Sequence, residues 1–125
     1  MHGTWLLGAV TVGIYTTNAP DACHYVLFHS ECVVCVCQGG KQAEKIYGIR
    51  DQLPNLKAIV VYWPEAGMPE ADANSKVKLY KWDEFLETGT SIPDDEILAE
   101  AAKVEPGSCA TLIYTSGTTV GVIVR

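Results

Sequence analysis

Apolar residues along this chain fall into runs of two kinds. Thr11-Val12-Gly13-Ile14-Tyr15-Thr16, Cys32 to Cys37, Leu56 to Tyr62, Val77 to Tyr80 and Cys109 to Tyr114 are short and nearly continuous. That is the form of strands covered on both faces rather than one. Between them, apolar positions recur three and four residues apart, which is helical spacing. The stretch "NAPDACHYVLFHSE" reads as a helix with Asn18 or Ala19 at its cap and Pro20 in the first turn, where a missing N–H costs nothing. Ala22, Val26 and His29 share one face of it, and Cys23, Leu27 and Ser30 the next. Gly39-Gly40 turns the chain into a second helix, Lys41 to Leu53, striped by Ala43, Ile46, Ile49 and Leu53, weakened by Gly48 and ended by Pro54-Asn55.

Shorter elements complete the pattern. Trp5 to Val10 reads as the tail of a helix whose beginning is absent. Residues 64–76 form a Pro- and Ala-rich acidic loop. Val77 to Tyr80 leads into one or two helical turns with Trp82, Phe85 and Leu86 inward. Ser91 and Asp94 are placed to form a capping pair around Ile92-Pro93, opening a helix with Ile97, Leu98, Ala101 and Ala102 that Pro106-Gly107 ends. Strands and helices thus alternate, which predicts an α/β fold: a mostly parallel sheet with helices on both faces. No repeat and no internal boundary is visible, so residues 1–125 read as one domain or part of one. Ligands in such sheets bind beyond the carboxyl ends of the strands, and Cys109 to Tyr114 is followed there by Thr115-Ser116-Gly117-Thr118-Thr119.

Charge narrows the partners. Residues 1–60 hold four basic and four acidic groups, whereas residues 61–125 hold five and eleven and so supply the whole net charge of −6. This excludes a nucleic-acid backbone as partner, though not a nucleotide held at one local site. No apolar run approaches the roughly 18 residues of a membrane span, and the start lacks the basic region of a signal peptide. Five cysteines stand at 23, 32, 35, 37 and 109. Alternation along a strand puts Cys35 and Cys37 on one face and Cys32 on the other, so the three do not converge on one tetrahedral ion. They read as small buried thiols in a reducing compartment, hence a cytoplasmic protein with no metal site.

The loop after the last strand carries the chemistry. Gly117 frees the backbone to turn several N–H groups toward one point, and Thr115, Ser116, Thr118 and Thr119 add hydroxyl donors, the requirements for holding phosphate oxygens. An ordinary tight turn uses the same residues. The loop is not a Walker A sequence, and after Lys103 the one cation in the chain is Arg125.

"LIYTSGTT" resembles the phosphate-loop signature of the adenylate-forming, or AMP-binding, enzymes. "VTVGIYTTNAPDACHYVLFHSECVVCVC", "KQAEKI", "QLPNLKAIVVY" and "YKWDEFLETG" resemble the matching stretch of long-chain acyl-CoA synthetases of the bubblegum type, in one register over nearly the whole chain. The resemblance implies part of the large N-terminal domain of that fold, with ATP and magnesium as cofactors, and a fatty acid and coenzyme A as substrates. It also implies a cytoplasmic enzyme peripheral to intracellular membranes. In the family the signature continues from the two threonines through Gly, a variable residue, Pro, Lys and Gly. Here Val120, Gly121, Val122, Ile123 and Val124 take those places. Val120 does not readily adopt a positive φ, and Ile123 removes the cation. The tail "VGVIVR" reads as a strand, or as a splice or gene-model artefact, rather than as a phosphate clamp.

The family's adenine-binding segment, ribose contact, magnesium-associated glutamate, acyl tunnel and C-terminal domain with its catalytic lysine find no counterpart in these 125 residues. The expectation is therefore an internal fragment of a ligase that catalyses nothing alone, with no catalytic residue to name. Its exposed apolar sheet faces are expected to make it self-associate. The competing reading is a non-catalytic α/β interaction or regulatory protein of the same descent. His24 and His29, five apart with no acidic partner, read as surface residues. Asp83 and Glu84 read as a solvated helix start, Trp5, Trp63 and Trp82 as core or edge aromatics, and Tyr15-Thr16-Thr17 as a turn or a cleft wall.

Overall fold

The computed structural model describes residues 2–115 and 123–124. In chain order the elements are α1 (His2–Leu6), β1 (Thr11–Val12), α2 (Pro20–His29), β2 (Val34–Gln38) and α3 (Lys41–Gly48). There follow β3 (Ala58–Tyr62), β4 (Lys78–Lys81), α4 (Trp82–Glu87), α5 (Asp94–Ala101), β5 (Thr111–Tyr114) and β6 (Ile123–Val124), with 3₁₀ turns at Arg50–Gln52 and Pro64–Ala66. They form two compact units: Tyr15–Gly89 is one, and Met1–Ile14 joins Thr90–Arg125 in the other. The second unit is discontinuous in sequence, so no linker marks the division.

In the unit 15–89, β2, β3 and β4 form a parallel sheet in that order, with Val36 beside Val60 and Val60 beside Tyr80. The alternation of helices with continuous apolar runs produces the parallel α/β arrangement it predicts. β3 is the doubly covered strand that its sequence describes, with Ala58, Ile59, Val60 and Val61 all buried. Register places Cys35, Ile59, Val61 and Leu79 on one face and Val34, Val36, Val60 and Tyr80 on the other. α3 packs on β2 and β3 and lies over the first face; α4 packs on β3 and β4, and its Phe85 ring meets Tyr80 at 5.8 Å on the second.

β2 departs from the expected double cover. Cys35 is buried, but Val34 and Val36 are 41% and 49% exposed. α4 reaches β3 and β4, leaving the second face of β2 without a helix over it. The run Cys32 to Cys37 is apolar on both sides yet covered on one.

The helices follow their stripes more closely than their predicted ends. Cys23, Val26 and Leu27 are the buried residues of α2, which Pro20 opens after Ala19. Ala43, Ile46, Ile49 and Leu53 are all buried as the stripe requires, but α3 stops at Gly48. The chain then tightens through the Arg50–Gln52 turn, and Leu53 takes an extended conformation, as a residue before proline prefers. α5 begins after Pro93 with no side-chain cap, so Ser91 and Asp94 do not form the expected pair. Its three acidic residues, Asp94, Asp95 and Glu96, instead complement the N-terminal dipole. Glu84 does cap: its carboxylate accepts the Lys81 backbone N–H at 3.0 Å at the start of α4.

The Gly39-Gly40 turn has a steric reason. A Cβ at Gly39 would stand 2.5 Å from the Trp63 carbonyl oxygen and 2.7 Å from that of Gly67. Gly40 sits at φ +68, with the Ala66 carbonyl oxygen 2.8 Å from where its Cβ would be. The approach is locked by hydrogen bonds from Gly39 N–H to Tyr62 and from Gly40 N–H to Gly67. Gly48, by contrast, meets nothing within 4 Å. Gly39→Ala should therefore cost about 1–3 kcal/mol through overpacking. Gly48→Ala should be neutral or stabilising by up to about 1 kcal/mol. Urea denaturation of both variants checks the contrast, and equal midpoints would contradict it.

Candidate functional site

The strand that delivers the hydroxyl-rich loop belongs to the discontinuous unit. β5 pairs with β1 in parallel, Thr11 beside Thr111 and Val12 beside Leu112. A cluster of polar groups fixes where β5 begins. The Ala110 carbonyl accepts the Thr11 backbone N–H at 3.0 Å, the Trp5 indole N–H at 2.9 Å and the Thr11 hydroxyl at 3.2 Å. Trp5 also donates to the Thr11 hydroxyl oxygen at 3.1 Å, and the Thr111 hydroxyl donates to the Thr11 carbonyl at 2.9 Å. Trp5 is thus an anchor with a polar handle. Its sequence context marks it only as a core or edge aromatic, because its partner lies 105 residues away.

At the far end of β5, Thr115 is exposed and lies outside any strand or helix. Of the expected phosphate-holding residues it alone is described; Ser116, Gly117, Thr118 and Thr119 lie outside the described residues. The backbone of β6 pairs antiparallel with β5, Tyr114 beside Ile123 and Ile113 beside Val124. The tail therefore enters a strand, one of the readings its sequence allows.

Charge in this unit opposes a triphosphate. Residues 1–14 and 90–125 carry Asp94, Asp95, Glu96, Glu100 and Glu105 against Lys103 and Arg125. Lys103 is itself paired with Glu100. Beside Trp5, Val104 and Cys109 lies a cleft of about 60 Å³, far below the roughly 300–1,000 Å³ of a small-molecule pocket. Gly39-Gly40, where a turn opens α3 after β2, spends its two N–H groups on Tyr62 and Gly67 and offers no anion cradle.

The remaining candidates are accounted for by packing. His24 stacks on Phe28 and His29 on Tyr25, each at 5.6 Å, so the two rings belong to separate aromatic pairs on α2. Trp63 and Trp82 are exposed edge aromatics at the ends of β3 and β4, and Trp63 holds a left-handed conformation, φ +61. Among the described residues, no three of His, Cys, Asp or Glu group closely enough to hold a metal ion. All five cysteines are free: Cys23 and Cys35 buried, Cys32 and Cys37 half-buried, Cys109 exposed. Cys35 and Cys37 share a strand face and their thiols interact. A hydrogen bond from that contact, reinforced by burial, pushes Cys35 well above the usual thiol range, and the same contact holds Cys37 below it. Burial pushes Cys32 up.

The parallel strand pairs and interleaved helices define an α/β chain. Its sequence places it further. Residues 1–120 match the model of the AMP-binding enzyme family, and the chain belongs to that family. It is 43% identical over 117 residues to the long-chain-fatty-acid–CoA ligase ACSBG2 of Xenopus laevis, a match covering 94% of this chain and 15% of that protein. It is 38% identical over 117 residues to ACSBG1 of Homo sapiens, with the same coverages. It is 39% identical over 118 residues to human ACSBG2, covering 94% of this chain and 17% of that protein. The chain thus spans about one-sixth of the length of these relatives. No solved structure matches it. Among the described residues, no helix is long and apolar enough to cross a membrane.

The thiols provide a check on this geometry. Reactivity follows exposure and thiolate fraction, so iodoacetamide at neutral pH should label Cys109 and Cys37 in the native chain. Cys23 and Cys35 should react only after denaturation. Peptide mass spectrometry reads the order, and Cys35 reacting as fast as Cys37 would contradict the burial of Cys35.

Proposed function

We propose that this chain is part of an ATP-dependent long-chain fatty acid–CoA ligase and forms one wall of its ATP site within the N-terminal domain. In that enzyme a fatty carboxylate is joined to AMP with release of pyrophosphate, and the acyl group then passes to the thiol of coenzyme A. The observation that carries this reading is the β1–β5 pair ending in Thr115, at the carboxyl end of a parallel strand, in a chain 38–43% identical to named ligases. Thr115, Ser116, Gly117, Thr118 and Thr119 are the donors toward the phosphates. The setting is the cytoplasm, at the periphery of intracellular membranes.

The residues present fit this role only in part. Hydroxyl and amide donors suit phosphate oxygens, but Ile123 stands where a lysine would balance charge, and the surrounding unit is acidic. Among the described residues no group of three or more His, Cys, Asp or Glu is placed to hold magnesium. We therefore assign this polypeptide no turnover by itself. Its role belongs to the larger enzyme. A non-catalytic interaction protein of the same descent is the second reading, favoured by the uncovered Val34 and Val36 on β2.

Two measurements test this. Palmitate, magnesium, ATP and coenzyme A should give no pyrophosphate with this chain above a no-protein control; sustained, protein-dependent release of pyrophosphate and palmitoyl-CoA would overturn the reading. A chimera of the Xenopus laevis ligase carrying residues 1–119 of this chain in place of its matched segment should still form acyl-CoA. Extending the replacement through Val124 should cut the rate about 10²–10³-fold, the scale of losing one charge-stabilising group. An inactive but folded first chimera would count against the ligase assignment.

A further inference from the structure

The five thiols divide by what their S–H groups meet. Cys23 donates to the Asn18 carbonyl at 3.7 Å, Cys32 to the Val34 carbonyl at 3.3 Å and Cys109 to the Thr111 carbonyl at 3.8 Å. Cys35 and Cys37 are hydrogen-bonded to each other instead. Strand geometry brings them together. Register sets Cys35 beside Ile59 and Cys37 beside Val61, so both side chains leave β2 on the face that α3 covers.

The two partners are unequally placed. Cys35 is buried, whereas Cys37, the penultimate residue of the strand, is half-buried. The S–H of Cys35 donates to the Cys37 sulfur, which holds Cys37 below the usual thiol range. Thiolate is the reactive form, so the more accessible sulfur is also the more readily ionised. Cys35 keeps its proton, through the same hydrogen bond first and burial second.

We propose that Cys35 and Cys37 form a reversible, peroxide-responsive dithiol, in which Cys37 is oxidised first and Cys35 closes an intrastrand disulfide. The Cys37 sulfur attacks one oxygen of hydrogen peroxide. The O–O bond breaks, the sulfur gives up two electrons to become a sulfenic acid, and the departing hydroxide takes the thiol's proton as water. The Cys35 sulfur then attacks the Cys37 sulfur. An S–S bond forms, the S–O bond breaks, and the Cys35 proton leaves with the oxygen as a second water. Two thiols and one hydrogen peroxide thus give one disulfide and two waters. Once the Cys37 thiolate is consumed, the hydrogen bond that kept the proton on Cys35 is gone, which frees that thiol for the second step.

Residues two apart in a strand have Cα atoms about 6.6 Å apart, near the upper end of the roughly 4.4–6.8 Å that a disulfide spans. A bond closed at that limit is strained, and strained disulfides are the ones readily reduced. The pair is therefore a switch and not a staple. The inference rests on β2 alone and holds whether or not the chimeras are active.

The test treats the reduced chain with a small excess of hydrogen peroxide, alkylates it under denaturing conditions and cleaves it after Glu31 and Lys41. In mass spectrometry the peptide 32–41 should have lost two hydrogens and carry one alkylated thiol, Cys32. Fragmentation should place the bond between Cys35 and Cys37, and dithiothreitol should restore three alkylatable thiols. Cys37→Ser should slow oxidation of this peptide about tenfold or more, since susceptibility follows thiolate character. Cys35→Ala should leave Cys37 as a sulfenic acid that dimedone traps, and Cys32→Ser should leave the bond in place. A bond that involves Cys32 overturns the proposal, as does a peptide whose three thiols all survive peroxide, or one in which Cys37 passes to sulfinic acid with no bond formed. If circular dichroism shows a variant unfolded, the position of the bond in the unsubstituted chain decides.

Discussion

The constraint on which this structure depends is the burial of β3 between two layers. Ile59 and Val60 point to opposite faces of the sheet, and both have no solvent exposure. Each such side chain contributes roughly 1.5–3 kcal/mol by leaving water, and each gathers its own helix. α3 covers the side of Ile59, and α4 reaches the side of Val60. Among the described residues, all the buried hydrophobic side chains, from Cys23 to Val77, lie within this one unit.

The Gly39-Gly40 turn follows from the same layering. For α3 to lie back over β2 and β3, the chain must reverse directly at the end of β2, against the segment leaving β3. Two residues without side chains permit the backbone of residues 39–40 to touch that of residues 63–67. The turn is a packing joint, and its amides are consumed in making it.

Much of this arrangement is legible in the order of the residues. The continuous run at Leu56 to Tyr62 identifies the covered strand because both of its faces are apolar and both are buried. The stripe Ala43, Ile46, Ile49 and Leu53 marks the packing face of α3, even though the helix ends early. The same logic misleads at Cys32 to Cys37, since a run equally apolar on both sides says nothing of whether a second layer reaches it. Long-range polar contacts leave no trace in the pattern. Nothing in the sequence around Trp5 points to Ala110, and the fixing of β5 depends on that contact. At the candidate site, position at a strand's carboxyl end is readable through Thr115. The acidic surroundings are readable as well, because α5, with Asp94, Asp95, Glu96 and Glu100, stands just ahead of β5 in the chain.

The discontinuity of that unit bears on how the chain is made. β1 and Trp5 leave the ribosome well ahead of their partners, Ala110 and Thr111, which follow about a hundred residues later. At roughly 5–20 residues per second of synthesis, that is an interval of about 5–20 s. During it the unit 15–89, whose contacts are nearer in sequence, has time to fold. Closing so long a loop is entropically costly, but the cost grows only logarithmically with length. Through that interval the Trp5 indole and the Thr11 backbone N–H wait for the one carbonyl that both meet in the folded chain, that of Ala110.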